Sequence, residues 1–284
     1  MINFKVMPST DDHAKLLEAA RGGDIRAFQQ LFANFQPELR SYLYRLLASR
    51  HDAEDLSHDT FVKAYEALRS FRGEASLKTW VFRIATNLAY DELRRQQRWP
   101  ADAQDRAKAL AQSRPDIQQT FARVHATDPQ GAYNVREHID FCFTCIGKTL
   151  PIEQQVAVIL KDVYQFRRSE IARVLGMTEG VVKHLLYDGR KTLSEVFYQR
   201  CALVNKQGSC HQCSELAGIY NPRQARQRYL RGLEISRAAA AGESQQGLYA
   251  LRARLVRFID PLTSNGASLQ DAIMECTREA IGAK

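Results

Sequence analysis

An all-α architecture is predicted by three observations. Apolar residues recur at spacings of three and four through most of the 284 residues, the period of a helix with one buried face. No stretch alternates apolar and polar residues as a half-buried strand does, and no internal repeat is evident. Arg168–Leu185 carries a helix-turn-helix pattern: Ile171, Leu175, Met177, Val182 and Leu185 are apolar, Ala172 is small where a second helix crosses it, and Gly176 stands at a sharp turn that needs positive φ. Such a module lays its second helix in the major groove of DNA.

The elements follow in order. Leu16–Ala20 and Ala27–Phe35 read as short helices separated by Gly22-Gly23-Asp24, a glycine stop followed by an N-cap acid. A third helix begins at Pro37. Asp52 and Asp55 open a fourth, Asp52 as its cap, with Leu56, Phe61, Ala64, Tyr65 and Leu68 on the buried side. After the loop Phe71–Ala75, Ser76 caps a fifth helix to about Arg98, and Trp99-Pro100 ends this first domain, residues 10–98. Residues 99–135, rich in Ala, Gln, Asp and Arg with prolines at 115 and 129, read as a flexible linker holding at most one short helix. A second helical domain spans 136–200, broken at Leu150-Pro151 and containing the helix-turn-helix, in which Thr178 caps the second helix. Residues 201–284 bring a cysteine-bearing loop and three further helices, read as a separate regulatory extension.

The formal charge is +8, from 40 Lys and Arg against 32 Asp and Glu, which suits a polyanionic partner. The acids gather in Asp52–Asp59 and the bases in Arg94–Arg98 and Lys183–Lys191. No apolar run approaches the roughly eighteen residues that a membrane-spanning helix requires, and Met1–Thr10 lacks a signal-peptide pattern, so a cytoplasmic protein with no membrane partner is expected. Six cysteines in a reducing compartment argue against a disulfide framework. No phosphate-binding loop or hydrolytic triad is present, and no strand leads into a Cys-x-x-Cys as a thiol oxidoreductase would need, so an enzyme is not expected.

On the fifth helix Trp80, Arg83, Asn87, Tyr90 and Arg94, with Arg95 beside them, form a stripe of aromatic, amide and guanidinium groups. Aromatics stack on bases, asparagine bonds a base edge and arginine neutralises phosphate, which suits single-stranded nucleic acid. Trp80 and Tyr90 also fit as partly buried core residues, and this helix alone does not choose between the two.

Asp52-Ala53-Glu54-Asp55-Leu56 through Thr60-Phe61-Val62-Lys63-Ala64, followed by Thr79-Trp80-Val81-Phe82-Arg83-Ile84-Ala85-Thr86-Asn87 and Leu88–Arg95, closely resembles region 2 of bacterial sigma factors of the extracytoplasmic-function type. The helix-turn-helix downstream resembles their region 4. The resemblance covers about residues 10–98 and 136–197. It implies a factor that binds core RNA polymerase, through the β′ clamp helices and the β flap, and directs promoter recognition, opening and initiation without a required cofactor. An anti-sigma factor is a further partner it implies.

Carried over residue by residue, Asp52, Glu54, Asp55 and Asp59 would face polymerase, although acids at a helix start also act simply as caps. Trp80, Arg83, Tyr90 and Arg94 would contact the opened minus-10 strand, and the loop Phe71–Ala75 with Asn87 would hold a splayed base. In the recognition helix Val181, Val182, Leu185 and Leu186 would turn inward. Glu179, Lys183, His184, Tyr187, Arg190 and Lys191 would face the minus-35 duplex, with a plain solvated face the alternative for Lys191. The family's serine-arginine pair after the lysine is replaced by His184-Leu185, and its arginine-alanine-arginine run by Asp188-Gly189-Arg190. Gly189 is therefore expected to break the helix early, and the family's minus-35 preference does not transfer.

Cys142 and Cys145 with Cys210 and Cys213 would make a tetrahedral zinc site, Cys201 or His211 substituting for one thiol, if the tail loop meets the first helix of the second domain. Cys142 and Cys145 equally fit as buried thiols among Phe141, Phe143 and Ile146. The extension would sense or inhibit. The rival functional reading is a helix-turn-helix regulator acting without polymerase, with a metal- or redox-sensing tail; it leaves the acidic helix and the Trp80–Arg94 stripe without a task.

Overall fold

The computed structural model describes residues 10–95, 98–119, 135–201, 204–205, 234–263 and 267–283. The first five helices are α1 (Thr10–Arg21), α2 (Ile25–Ala33), α3 (Gln36–Leu47), α4 (Arg50–Glu66) and α5 (Leu77–Arg95), with a 3₁₀ turn at Leu68–Ser70. Asp24 caps α2 by accepting from the Arg26 and Ala27 amides, and Ser76 Oγ accepts from the Thr79 amide at 3.1 Å at the start of α5. The expected cap of α4 is corrected. Ser49 does that work, its Oγ accepting from the Asp52 amide at 3.3 Å, and Asp52 sits within the first turn where the helix dipole favours a carboxylate. Inside the bundle Phe28, Phe32 and Phe61 meet with ring centroids 5.2–5.9 Å apart, and the fully buried Phe28 and Phe32 each contribute about 1.5–3 kcal/mol.

The second unit contains α7 (Val135–Gly147), α8 (Ile152–Val158), a π-helical turn at Ile159–Val163, α9 (Arg168–Leu175) and α10 (Glu179–Arg200). Gly176 ends α9 at φ 66°, and Thr178 Oγ1 accepts from the Val181 amide, so the predicted turn and cap are both present. Gly189 does not break α10, which runs through to Arg200. A Cβ at Gly189 would lie 2.8 Å from Val158 Cγ2 and 3.4 Å from Gln154 Cβ, so glycine is there to let α8 approach.

The predicted flexible linker differs over its described half. Trp99 is buried and its amide donates to Lys148 O, while α6 (Ala103–Ser113) buries Ala103 and Ala107, and Ile117 is buried beyond it. The predicted separate extension differs as well: α11 (Glu234–Ala240), α12 (Gln245–Val256) and α13 (Ala267–Ile281) join the same continuous core as both other units. α12 lies on α10 and α7, and α13 lies on α6. The two main units also touch directly. α9 packs on α5, and Phe166, just before α9, meets Phe82 at 5.0 Å under the Lys78 ammonium.

Candidate nucleic-acid interface

Arg83, Asn87, Arg94 and Arg95 project into solvent from α5, whereas Val81, Phe82, Ala85, Ala89 and Leu93 are buried on its other side. Trp80 and Tyr90 are half-buried, with one part against the core and one part open. Phe71 is corrected as a base contact: it is only 6% exposed, its ring 5.2 Å from Trp80 and covered by the Arg21 guanidinium, so it supports Trp80. The Tyr90 ring is covered by Arg94 at 5.7 Å, and burial pushes its phenol above the ordinary tyrosine range. A cleft of about 220 Å³ lies where the base pocket was expected, lined by Phe71, Arg72, Glu74, Ala75, Trp80, Arg83 and neighbours. Asn87 is not among its walls. Arg173, from α9 of the second unit, is.

On α10 Glu179, Lys183, His184 and Lys191 are exposed, and Tyr187 is 67% exposed. Val181, expected inward, is 44% exposed and belongs to this outer face, while Val182 and Leu186 are buried and Leu185 is half-buried. Arg190 departs from the expectation. Its guanidinium grips the Asp162 carboxylate with both Nε, at 2.9 Å, and Nη2, and the same carboxylate accepts from Tyr249 OH at 2.7 Å. Arg190 therefore braces α10 against the π-helical turn. A cleft of about 840 Å³ between α10 and α12 is bordered by Lys183, Tyr187, Lys191 and Arg257.

The acidic face of α4 is available in part. Asp55 and Asp59 are exposed, Glu54 is paired with Arg40 at 2.6 Å, and Asp52 is half-buried. In these surface positions the pairs are weak, and a basic partner can exchange for them.

Sequence reasoning missed a buried polar cluster where the units meet. Arg45 of α3 and Asp140 of α7 form an ion pair at 2.7 Å with side chains only 1% and 0% exposed. Arg45 also donates to Tyr164 OH at 2.5 Å and to Ile259 O at 2.8 Å, so one guanidinium holds the first unit, the second unit and the extension. Burial raises the Asp140 carboxyl above the usual range, and the Arg45 charge pulls against it. The signal was available: Arg45 interrupts Leu43-Tyr44 and Leu46-Leu47, and Asp140 sits between Ile139 and Phe141.

Of the expected metal ligands, Cys142, Cys145 and Cys201 are buried, and Cys145 Sγ accepts from Gln104 Nε2 at 3.3 Å. Cys210, His211 and Cys213 lie outside the described residues. Among the described residues no group of three potential metal ligands comes together, and no helix is long and apolar enough to cross a membrane.

Two family models match this chain, Sigma-70 region 2 over residues 31–99 and Sigma-70, region 4 over residues 142–193. The ECF RNA polymerase sigma factor SigG of Mycobacterium tuberculosis (strain CDC 1551 / Oshkosh) is 30% identical over 190 residues, covering 62% of this chain and 49% of the relative. The RNA polymerase sigma-H factor of Pseudomonas aeruginosa is 26% identical over 189 residues, covering 66% of this chain and 95% of the relative. The ECF RNA polymerase sigma-E factor of Escherichia coli (strain K12) is 28% identical over 179 residues, covering 63% and 90%. The chain spans about half the length of the first of these relatives. Region 2 thus matches α2 to α5 and region 4 matches the helix-turn-helix unit, in that order, and over both the chain is similar to extracytoplasmic-function sigma factors.

Proposed function

We propose that this chain binds core RNA polymerase and directs promoter recognition, DNA opening and the start of transcription. One observation carries the reading: the same chain presents an acidic face on α4, a Trp80–Arg83–Asn87–Arg94 stripe on the adjoining α5, and an exposed Lys183–His184–Tyr187 face on a helix-turn-helix. A duplex-binding regulator needs only the last of these.

The division of labour follows from charge and shape. Asp55 and Asp59, with Glu54 released from Arg40, offer carboxylates to a basic partner surface such as the β′ clamp helices, and region 4 would sit at the β flap. Lys183 neutralises phosphate or bonds a base edge in the minus-35 major groove, and Tyr187 packs beside it. On α5, Arg83 and Arg94 attract the strand backbone, the open part of Trp80 offers a stacking surface and Asn87 an amide for a base edge. Unstacking costs a few kcal/mol per step, which these contacts offset. The reading asks for no bound nucleotide and no chemistry from this chain, and it places the chain in the cytoplasm with polymerase. An anti-sigma factor is a further partner of the same faces. Zinc on Cys142 and Cys145 with Cys210 and Cys213 is a separate part of the proposal, supported by the two Cys-x-x-Cys pairs and checked by metal analysis of the purified chain.

The test is run-off transcription with core polymerase on fragmented genomic DNA. Discrete start sites that depend on the chain are expected. A chain that does not associate with core polymerase, or associates and initiates nowhere, overturns the proposal.

A further inference from the structure

The arrangement of the two units is incompatible with the act proposed for them. Promoter elements named for positions minus-10 and minus-35 lie about 25 base pairs apart, about 85 Å of duplex at 3.4 Å per pair. Here α9 rests on α5 and Arg173 of α9 enters the cleft beside Trp80, so the two DNA faces cannot reach separate elements until the units part.

The extension touches both halves of that closed pair. On the region 4 side Tyr249 OH donates to Asp162 Oδ2 at 2.7 Å and Arg257 Nε donates to Asp162 O at 2.6 Å, while the Arg252 guanidinium lies 4.1 Å from the Phe197 ring of α10. On the region 2 side Asp260 accepts from Ser41 Oγ at 2.6 Å, Asp271 accepts from Arg50 Nε at 2.9 Å, and Arg278 donates to Ala48 O at 2.6 Å. Between them Ile259 O accepts from Arg45, the residue already paired with Asp140. Separating the units therefore requires the tail to release at least one of them and uncovers a buried ion pair.

We propose that residues 234–263 and 267–283 are a built-in clamp that holds regions 2 and 4 together and keeps the free chain from engaging a promoter. Initiation then requires displacement of the clamp, and the closed state lowers apparent promoter affinity by the fraction of molecules that are open.

The test uses the full chain carrying Arg257→Gln, Asp260→Asn and Asp271→Asn together, all at residues that are not fully buried. Peptide-resolved alkylation reads opening through Cys276, whose Sγ lies 3.6 Å from Ala107 O between α13 and α6, and through Cys145 under Gln104. Raising the open fraction from about 1% to about 10% makes modification of both thiols about tenfold faster, with a larger radius of gyration in small-angle scattering and a similar rise in run-off transcript. Arg254→Gln, which removes a pair inside the extension to Glu234, serves as the control and is expected to leave all three readouts unchanged. Unchanged alkylation and radius in the triple variant, with its circular dichroism intact, overturn the clamp; so does equal opening by Arg254→Gln. These two readouts need no polymerase, so the clamp and the sigma-factor reading on which its transcription arm rests fail separately.

Discussion

Two helices of similar length carry the side chains assigned to DNA, and tertiary packing treats them differently. On α10 the outer face stays open over Lys183, His184 and Tyr187, because the helix is braced from behind by α8 at Gly189 and by α12 at Phe197. On α5 the stripe is half absorbed: Trp80 and Tyr90 lie partly in the core, Phe71 supports from below, and α9 of the other unit crosses above. An identical spacing rule produced both stripes. What a stripe meets depends on the elements packed around its helix, which spacing does not report.

The largest effect expected from this contrast is at Phe71. Phe71→Ala should cost about 3–5 kcal/mol in urea unfolding, as for a buried ring, whereas Trp80→Ala should cost less stability and more promoter opening in permanganate footprinting. Equal stability losses would erase the distinction between support and contact. Gly189→Ala should destabilise by about 1–3 kcal/mol through the clash with Val158, although alanine is the better helix former; a stabilised variant would mean that α8 and α10 do not approach as described.

Acid separates the supports of the two helices. Behind α10, His138 is fully buried, and burial followed by the nearby Arg252 charge depresses its pKa to about 3. The unfolded chain takes up that proton near pH 6.5 and the native chain does not. This contribution to stability is therefore present above pH 6.5 and is lost as pH falls toward 3, about 2 kcal/mol between pH 7 and pH 5. His138→Gln should flatten that slope in urea titrations. Behind α5, Tyr42 and Thr86 hydroxyls meet at 2.7 Å, and burial moves the Tyr42 phenol up, away from the acid range.

The smallest contrast lies within α10. Lys183→Ala should weaken duplex binding by about 1–3 kcal/mol and reduce its salt slope by about one, while Arg190→Ala should act on stability through Asp162 with little change in salt slope. A loss of salt slope at Arg190 matching that at Lys183 would return it to the DNA face.

Local features were legible because they are settled within a few residues. The Asp24 and Thr178 caps and the Gly176 turn each depend on one turn of chain. Gly189 was misread for the complementary reason: within its own helix a glycine is only a weak former, and its purpose is visible only from Val158, far away in the chain. Arg190 and Val181 were misassigned on the same ground, since a helical period separates faces without naming what covers them, and Phe71 because a loop position does not report the Trp80 and Arg21 side chains that cover it.

By itself, then, the chain's order of residues determined that the molecule is all helical, where most helices begin and turn, and that it carries the two sigma regions in sequence. Those properties rest on propensity, capping and periodicity, which act over short stretches. Only the tertiary structure decided that 99–119 packs, that the extension joins the common core, and that Arg45, Asp140 and Asp162 tie three segments together. A buried charge must find its partner wherever the fold supplies one, and here the partners come from helices about a hundred residues apart.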